Sequence, residues 1–295
     1  MASIDTAACA TPLAIGLLAA HELAGAQELV AESGWNQVPA DWALFLRHGT
    51  VFKISDGEAG IVATAAILPF ALRFGWVSMV LVRKSHRRRG LATELLTHCC
   101  AQLRAQNLIP VLDATPAGRT VYQPLGFQEG WGITRWRRGS AALVTASIAA
   151  DAAVRPLRES DWPELLALDA QAFGADRAGL LRLLAGRSQA FACVLERGGR
   201  LQGYLLGRDG RVARQLGPVI AATDEDARAL LDHALARVQG EVIVDAVDGH
   251  TAFHTHLAQA GFAIERGYVR MALGSSPGDF GSAALSFAIA GPELG

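Results

Sequence analysis

Cysteine is scarce in this chain. Four occur in 295 residues (Cys9, Cys99, Cys100 and Cys193), and none has metal-ligand spacing. Cys99 and Cys100 are adjacent on a predicted helix, a poor framework for disulfides, so all four are read as small buried hydrophobes. A basic excess is also missing: 27 Lys and Arg stand against 28 Asp and Glu, for a net charge of −1. A chain whose main partner is nucleic acid usually carries a clear surplus of cations. The opening Met1-Ala2-Ser3-Ile4-Asp5 lacks the basic stretch that a secretory signal requires, so the apolar residues 12–20 do not read as a signal core. One run, Ile61 to Val82, holds a single charge (Arg73) over the length of a membrane span. Pro69 and Gly75 divide it into strand-length pieces rich in Val and Ile, which predicts two buried strands joined by a turn. These absences point to a cytoplasmic protein with neither membrane nor nucleic-acid partners, and an apolar share of 51% points to well-filled cores.

What is present is an α/β order of elements that occurs twice. Helical pattern covers about Ala19 to Arg47, broken near Gly34 and Pro39. Strands follow at Val51–Ser55, Ile61–Pro69 and Trp76–Val82. A helix from about Leu91 to Gln106 places Leu91, Leu95, Cys99 and Leu103 on one face. The strand Ile109–Ala114 comes next. Thr115-Pro116 then supplies an N-cap and a first-turn proline for a helix that ends at Gly126, before a strand near Trp131–Arg137. In the second half, helical pattern over Trp162–Ala185 precedes strands Phe191–Glu196, Leu201–Gly207 and Gln215–Ile220. A helix (Asp224–Val238), a strand (Glu241–Val247), a helix (Thr251–Ala260) and a strand (Tyr268–Leu273) complete the order. Leu-Gly-Phe at 125–127 has its counterpart in Ala-Gly-Phe at 260–262. The Ala-, Ser- and Gly-rich residues 139–153 form the expected linker between domains at 10–138 and 154–295, an internal duplication.

The sharpest local feature is Val80-Leu81-Val82 followed by Arg83-Lys84-Ser85-His86-Arg87-Arg88-Arg89 and then Gly90-Leu91-Ala92-Thr93. A buried strand ends, a basic turn follows, and a helix opens on small residues. The first amides of a helix lack intrahelical partners and lie at the positive end of its dipole, which makes an anion site. Gly90 and Ala92 let the backbone approach a pyrophosphate closely. A solvated basic turn would also account for the charges. A nucleic-acid patch would carry interleaved aromatics, and a Walker loop would end in Gly-Lys-Ser/Thr; neither is present.

Arg87-x-x-Gly90-x-Ala92 after an apolar strand, with Tyr122-x-x-x-Gly126-Phe127 closing the next helix, resembles the acetyl-CoA signature of the GNAT superfamily of N-acetyltransferases. The match covers residues 12–138 in motif detail and the second half in element order alone. The segments Gly34 to Gln37, Leu112 to Arg119, Phe173 to Arg177 and Ala290 to Gly295 further resemble a bacterial group of tandem GNAT proteins. The resemblance implies two tandem α/β domains, each a mixed, mostly antiparallel sheet flanked by helices.

It also implies site roles. Backbone groups of Val80, Leu81 and Val82 would pair with the pantetheine arm and polarise the thioester. The loop Arg87, Arg88, Arg89, Gly90, Leu91, Ala92 and Thr93 would hold the pyrophosphate. Tyr122 would be the general acid, with packing under the cofactor as the plain alternative. Thr115 stands where many relatives carry an Asn that bonds the pantetheine, and would otherwise serve only as a helix cap. Asp113 is a candidate base or substrate ligand, against a structural role in the Thr115 turn; Glu28 and Glu32 are within plausible reach. Trp35, Asn36 and Gln37 fall where the family lines its acceptor pocket, although exposed loop packing suits them equally.

The second half replaces the cofactor loop with Ala221-Ala222-Thr223-Asp224-Glu225-Asp226, which has no basic residue and no glycine, and it has Leu257 in place of Tyr122. One acetyl-CoA per chain is therefore expected. His250 and His254 are spaced i, i+4, but no third ligand is evident and no metal is expected. The activity implied is transfer of acetyl from acetyl-CoA to the amine of a small molecule. A non-catalytic acyl-CoA or amino-acid sensor and a protein N-acetyltransferase are the alternatives, and a homodimer is left open.

Overall fold

The computed structural model describes residues 13–57, 59–70, 73–140, 151, 153–187 and 189–295. Most of the expected linker, and the expected domain start at 10–12, lie outside the described residues. The first half runs β1 (Ile15–Leu17), α1 (Leu23–Glu32), α2 (Pro39–His48), β2 (Thr50–Asp56), β3 (Gly60–Phe70), β4 (Phe74–Val82), α3 (Leu91–Ala105), β5 (Ile109–Ala114), α4 (Pro116–Tyr122) and β6 (Phe127–Arg138). The second runs β7 (Val154–Pro156), α5 (Trp162–Phe173), α6 (Ala178–Arg187), β8 (Cys193–Arg197), β9 (Arg200–Arg208), β10 (Arg214–Ala221), α7 (Asp224–Leu235), β11 (Val242–Val247), α8 (Thr251–Gln259), β12 (Ala263–Leu273) and β13 (Ser286–Ala288).

Local chemistry sets these boundaries. Thr115 caps α4 by accepting a hydrogen bond from the Gly118 amide at 3.1 Å, and Pro116 starts the helix without wasting a donor. Gly174 ends α5 in the left-handed conformation, at a φ of 88°. The apolar run 61–82 is a hairpin of β3 and β4. Pro69 is tolerated in β3 because β2 pairs with β3 only as far as Ile67, leaving the proline with one free edge. No helix among the described residues is long and apolar enough to cross a membrane.

Among the described residues the two halves share one sheet of 13 strands in the order β1-β2-β3-β4-β5-β12-β6-β11-β13-β10-β9-β8-β7. They are also interlocked. Strand β12 of the second half pairs with β5 of the first, and β6 of the first pairs with β11 of the second. Apart from β13, the order reads as a repeat of six strands with the last strand of each half exchanged. A single hydrophobic cluster joins α1 and α2 to α5 and α6 across the halves, through Leu29, Trp42, Phe45, Leu165 and Leu181. Truncating a fully buried side chain of this size to Ala costs roughly 3–5 kcal/mol, so the exchange is tied into one cooperative core.

The repeat breaks at one place. Strands β4 and β5 are parallel and pair only at Phe74–Ile109, Gly75–Pro110 and Trp76–Val111, then part and leave a cleft. Strands β10 and β11 likewise pair only at Arg214–Val242, Gln215–Ile243 and Leu216–Val244 before parting. There the gap is filled: β13 pairs with β10 at Val219–Ala288 and with β11 at Ala246–Ala288. His250 fastens this filling strand, its Nε2 lying 2.8 Å from the Ala283 carbonyl and its ring stacked 3.7 Å from Phe287.

Candidate active site

The open cleft of the first half continues into a cavity of about 640 Å³, a size suited to a small ligand or cofactor arm. One wall is β4. Met79 takes a φ of 54°, and the pairing with β3 shifts register there, so the strand bulges away from its neighbour. Thr64 holds the bulge, its hydroxyl donating to the Met79 carbonyl at 2.9 Å. Beyond Trp76 the edge of β4 facing β5 has no strand partner among the described residues, and Val80, Leu81 and Val82 line the cavity with it.

At the end of β4 the chain turns left-handed at Arg88 (φ 62°) and again at Gly90 (φ 83°), then enters α3. No side chain caps this helix, so the amides that open it face the cavity wall without a helical acceptor. Arg87, Arg88, Gly90, Leu91, Ala92 and Thr93 line the cavity, whereas Arg89 is exposed outside it. The turn is pinned from below: His86 is bonded to Asp56 at 3.0 Å, and Arg87 Nε donates to the Val82 carbonyl at 3.2 Å. Glu28 pairs with Arg83, and Glu32 accepts from the Lys84 amide. Both acids thus hold the loop rather than facing the cavity. The contrast with the second half is direct. Thr223 caps α7 by accepting from the Asp226 amide at 3.2 Å, and the first turn carries Asp224, Glu225 and Asp226. That helix end is filled by its own side chains and repels an anion.

Tyr122 lines the cavity from α4. Burial, with a smaller contribution from Cys100, pushes its phenol up to about 12, so the group is protonated at neutral pH. Its hydroxyl has no hydrogen-bond partner among the described residues, and its ring packs 6.0 Å from Phe127. Gly118 makes the room: a Cβ there would sit 2.8 Å from Tyr122 Cε2.

Asp113 also lines the cavity, but both its oxygens accept from Arg270, at 2.9 and 3.0 Å, from the residue directly opposite on β12. Burial pushes its carboxyl above the usual value and Arg270 pulls it back. The guanidinium is sandwiched between Trp131 and Trp76, 3.9 and 4.5 Å from the ring centres. The pair ties the exchanged strand β12 to the site. This geometry favours the structural role for Asp113, with Arg270 rather than the Thr115 turn as its partner.

Trp35, Asn36 and Gln37 also reach the cavity, and the three divide their tasks. The Asn36 side chain is spent on the second half: its Oδ1 accepts from the Val212 and Ala213 amides and its Nδ2 donates to the Ala213 carbonyl, all at 3.0 Å. Arg211 Nε donates to the Trp35 carbonyl at 2.8 Å, reinforcing the same seam. Gln37 Oε1 is buried with no partner among the described residues, and so is Ser78 Oγ on the opposite wall.

Sequence reasoning missed the far end of the cavity, formed by Ser78, Arg135, Arg266, Tyr268, Pro292 and Glu293. The segment Gly291–Gly295 is held there by two anchors. Trp76 Nε1 donates to the Pro292 carbonyl at 2.9 Å, and Arg177 Nη1 donates to the Gly295 carbonyl at 2.7 Å. Arg177 is itself held by Asp169 and stacked 3.9 Å over Phe173. Of the segments singled out in the sequence, residues 34–37 and 292–293 both line the cavity, and Arg177 of the segment 173–177 holds the end of the latter. Their pattern was the available signal, but nothing in it said that they converge. Each cluster histidine is engaged locally: His254 Nδ1 accepts from Trp136 Nε1 at 3.0 Å, and His256 is bonded to Asp232 at 2.7 Å. No group of residues that could hold a metal occurs among the described residues.

Fold and cleft together define a duplicated α/β protein with one open ligand cleft and one filled by its own chain. Residues 20–127 match a model described as the acetyltransferase (GNAT) family, and residues 165–280 match one described as an acetyltransferase (GNAT) domain. The chain belongs to the GNAT superfamily of acetyltransferases and carries two of its domains in tandem. A protein of Bacillus subtilis (strain 168) described as the uncharacterized N-acetyltransferase YitH is 28% identical over 251 residues, covering 83% of this chain and 87% of its own. A putative acetyltransferase from Pyrococcus horikoshii superposes with a TM-score of 0.79 at 17% identity, over 96% of both chains. A tandem GNAT protein from the clavulanic acid biosynthesis pathway superposes at 0.61 and 16% identity, over 88% of this chain and 98% of its own.

Proposed function

We propose that the first domain binds acetyl-CoA in the open cleft and transfers its acetyl group to the amine of a small molecule. The observation that carries this reading is the uncapped N-terminus of α3, opening beside the parted strands β4 and β5. The cleft fits the co-substrate: free strand edge for an amide-bearing arm, and helix amides with arginines for a pyrophosphate. Acetyl-CoA supplies an activated thioester, and the residues of the chain do the rest. The backbone of β4 at its bulge stabilises charge on the carbonyl oxygen. The cavity holds amine and thioester side by side. As the nitrogen bonds to the carbonyl carbon the C–S bond breaks, and Tyr122 gives its proton to the departing sulfur. Of the two protons lost by the ammonium, one restores Tyr122 and the other goes to solvent. Thr115 serves as the cap of α4, with its O–H free to donate into the cavity. The burial of Gln37, Ser78 and Glu293, each under 10% exposed, suits a small acceptor better than a protein surface.

With one cleft open and the other occupied by β13, one acetyl-CoA should bind per chain. Release of coenzyme A thiol from acetyl-CoA, measured with a panel of amines, tests the activity. Amine-dependent thiol release at wild-type Tyr122 supports the reading; acetyl-CoA binding without release from any amine would favour a sensor instead.

A further inference from the structure

The acceptor end of the cavity has buried polar side-chain atoms that the protein leaves unpaired. Gln37 Oε1 and Ser78 Oγ are buried without a partner among the described residues. A buried, unpaired polar atom is destabilising, and such a cost persists where a ligand relieves it. Glu293, 4% exposed, lines the same cavity and belongs to a buried cluster of charges. Arg208 donates both to Glu293 and, at 2.9 Å, to Asp41; Arg187 donates to Asp41 at 2.6 Å and to Asp209 at 2.7 Å. Two guanidiniums are thus shared among three carboxylates, of which Asp209 is exposed to solvent, and Arg208 Nε is left without a partner among the described residues. The other cations around this end are already committed: Arg135 to Asp245 at 2.7 and 2.8 Å, Arg270 to Asp113, and Arg266 at the rim to Glu265. Of the two carboxylates that line the cavity, Asp113 has both oxygens taken by Arg270, whereas Glu293 is bonded through Oε1 alone, and the guanidiniums without a carboxylate partner among the described residues, Arg87 and Arg88, belong to the α3 loop.

We infer that Glu293 is the acceptor-binding residue. It receives the ammonium of a cationic amine that carries further hydrogen-bond donors and no carboxylate, with Gln37 and Ser78 completing the contacts. The class is that of aliphatic diamines and amino alcohols. The inference deepens the acetyltransferase reading by naming the acceptor class, and it assigns a role to a segment outside both regions that match the family. The second half thereby takes part in the first domain's chemistry: Arg208 on β9 sets the position of the Glu293 carboxylate, and β13 delivers the segment that carries it.

Calorimetry of the full chain with 1,4-diaminobutane and with ornithine, which is the same diamine bearing a carboxylate, tests this. Each is titrated alone and with saturating coenzyme A. The diamine is expected to bind at least about 10-fold more tightly than ornithine, and Glu293→Gln to weaken it about 10- to 100-fold, as for loss of a charged hydrogen bond. Coenzyme A affinity in Glu293→Gln should equal that of the wild type, so failure of the cofactor site and failure of this inference read separately. Ser78→Ala and Gln37→Leu guard against misfolding of the Glu293 variant. Each should raise the melting temperature, because an orphaned polar atom is removed, and yet weaken the diamine about 3- to 10-fold. No diamine binding to the wild type, equal binding of ornithine, or unchanged binding in all three variants would overturn the assignment.

Discussion

Replacing Tyr122 by Phe removes one oxygen and keeps the ring against Phe127. The hydroxyl has no partner among the described residues, so the exchange breaks no hydrogen bond in the free protein. Stability should change by no more than about 0.5 kcal/mol, as for a substitution that breaks no buried contact. The catalytic effect should be much larger, and its size follows from the phenol's proton affinity. Burial holds that phenol at about 12, while a thiol ionises near about 8.5, so complete transfer to the thiolate is uphill by roughly 5 kcal/mol. Transfer must then be late and coupled to the ammonium proton that restores Tyr122, and until that point the phenol acts as a hydrogen-bond donor that strengthens as charge builds on sulfur. That places it in the lower part of the range for acid catalysis, about 100- to 1,000-fold in kcat. Thiol release at saturating acetyl-CoA gives kcat, and calorimetry gives the acetyl-CoA Kd, which should stay within about 3-fold of wild type. The same raised value means that no basic limb below about pH 10 belongs to Tyr122. An unchanged kcat, or a Kd that worsens by the same factor as kcat, would reduce Tyr122 to a packing residue.

Gly118→Ala places a methyl 2.8 Å from the Tyr122 ring, and kcat should fall about 10-fold or more while α4 keeps its fold, as circular dichroism would show. Arg270→Met leaves Asp113 buried and unpaired, and should destabilise the chain by about 3–5 kcal/mol in denaturant unfolding. Adding Asp113→Leu should recover much of that loss; a double variant no better than the single would show that the pair is not what β12 depends on. Asp161 is held below the usual carboxylate range, first by hydrogen bonds from Arg155. A lowered folded value means stability that is present above about pH 4 and is lost as pH falls through the folded value, so Asp161→Asn should flatten the acid limb of the melting curve.

The cofactor side of the site was legible because each part is written locally. The strand ending at Val82, the basic turn, the glycine entry to α3 and the Thr115-Pro116 opening of α4 all fall within a few consecutive residues, and the structure places them within a residue or two of expectation. Strands β1, β7 and β13 were not anticipated, since three residues are too few to display a period of two. The exchange of β6 and β12 was also hidden. Periodicity reports which face of a strand is buried, not which strand lies beside it. Glu293 was out of reach for the same reason: Pro292 and Trp76 meet across 216 positions of sequence. The absence of a cofactor loop after Ile220 was readable, yet the physical closure of that cleft by β13 was not. Asp113 stood in the right place, and only the register of β12 revealed that Arg270 occupies both of its oxygens.

One helix N-terminus in this duplicated chain, that of α3, is expected to hold acetyl-CoA. Titration calorimetry with acetyl-CoA tests it most directly, using the wild type, Gly90→Val and Thr223→Ala. One site per chain is expected. Gly90→Val should weaken it at least about 10-fold, because a β-branched residue is strained at a φ of 83°, and Thr223→Ala in the filled half should leave it unchanged. Two equivalent sites, or an affinity indifferent to Gly90, would contradict it.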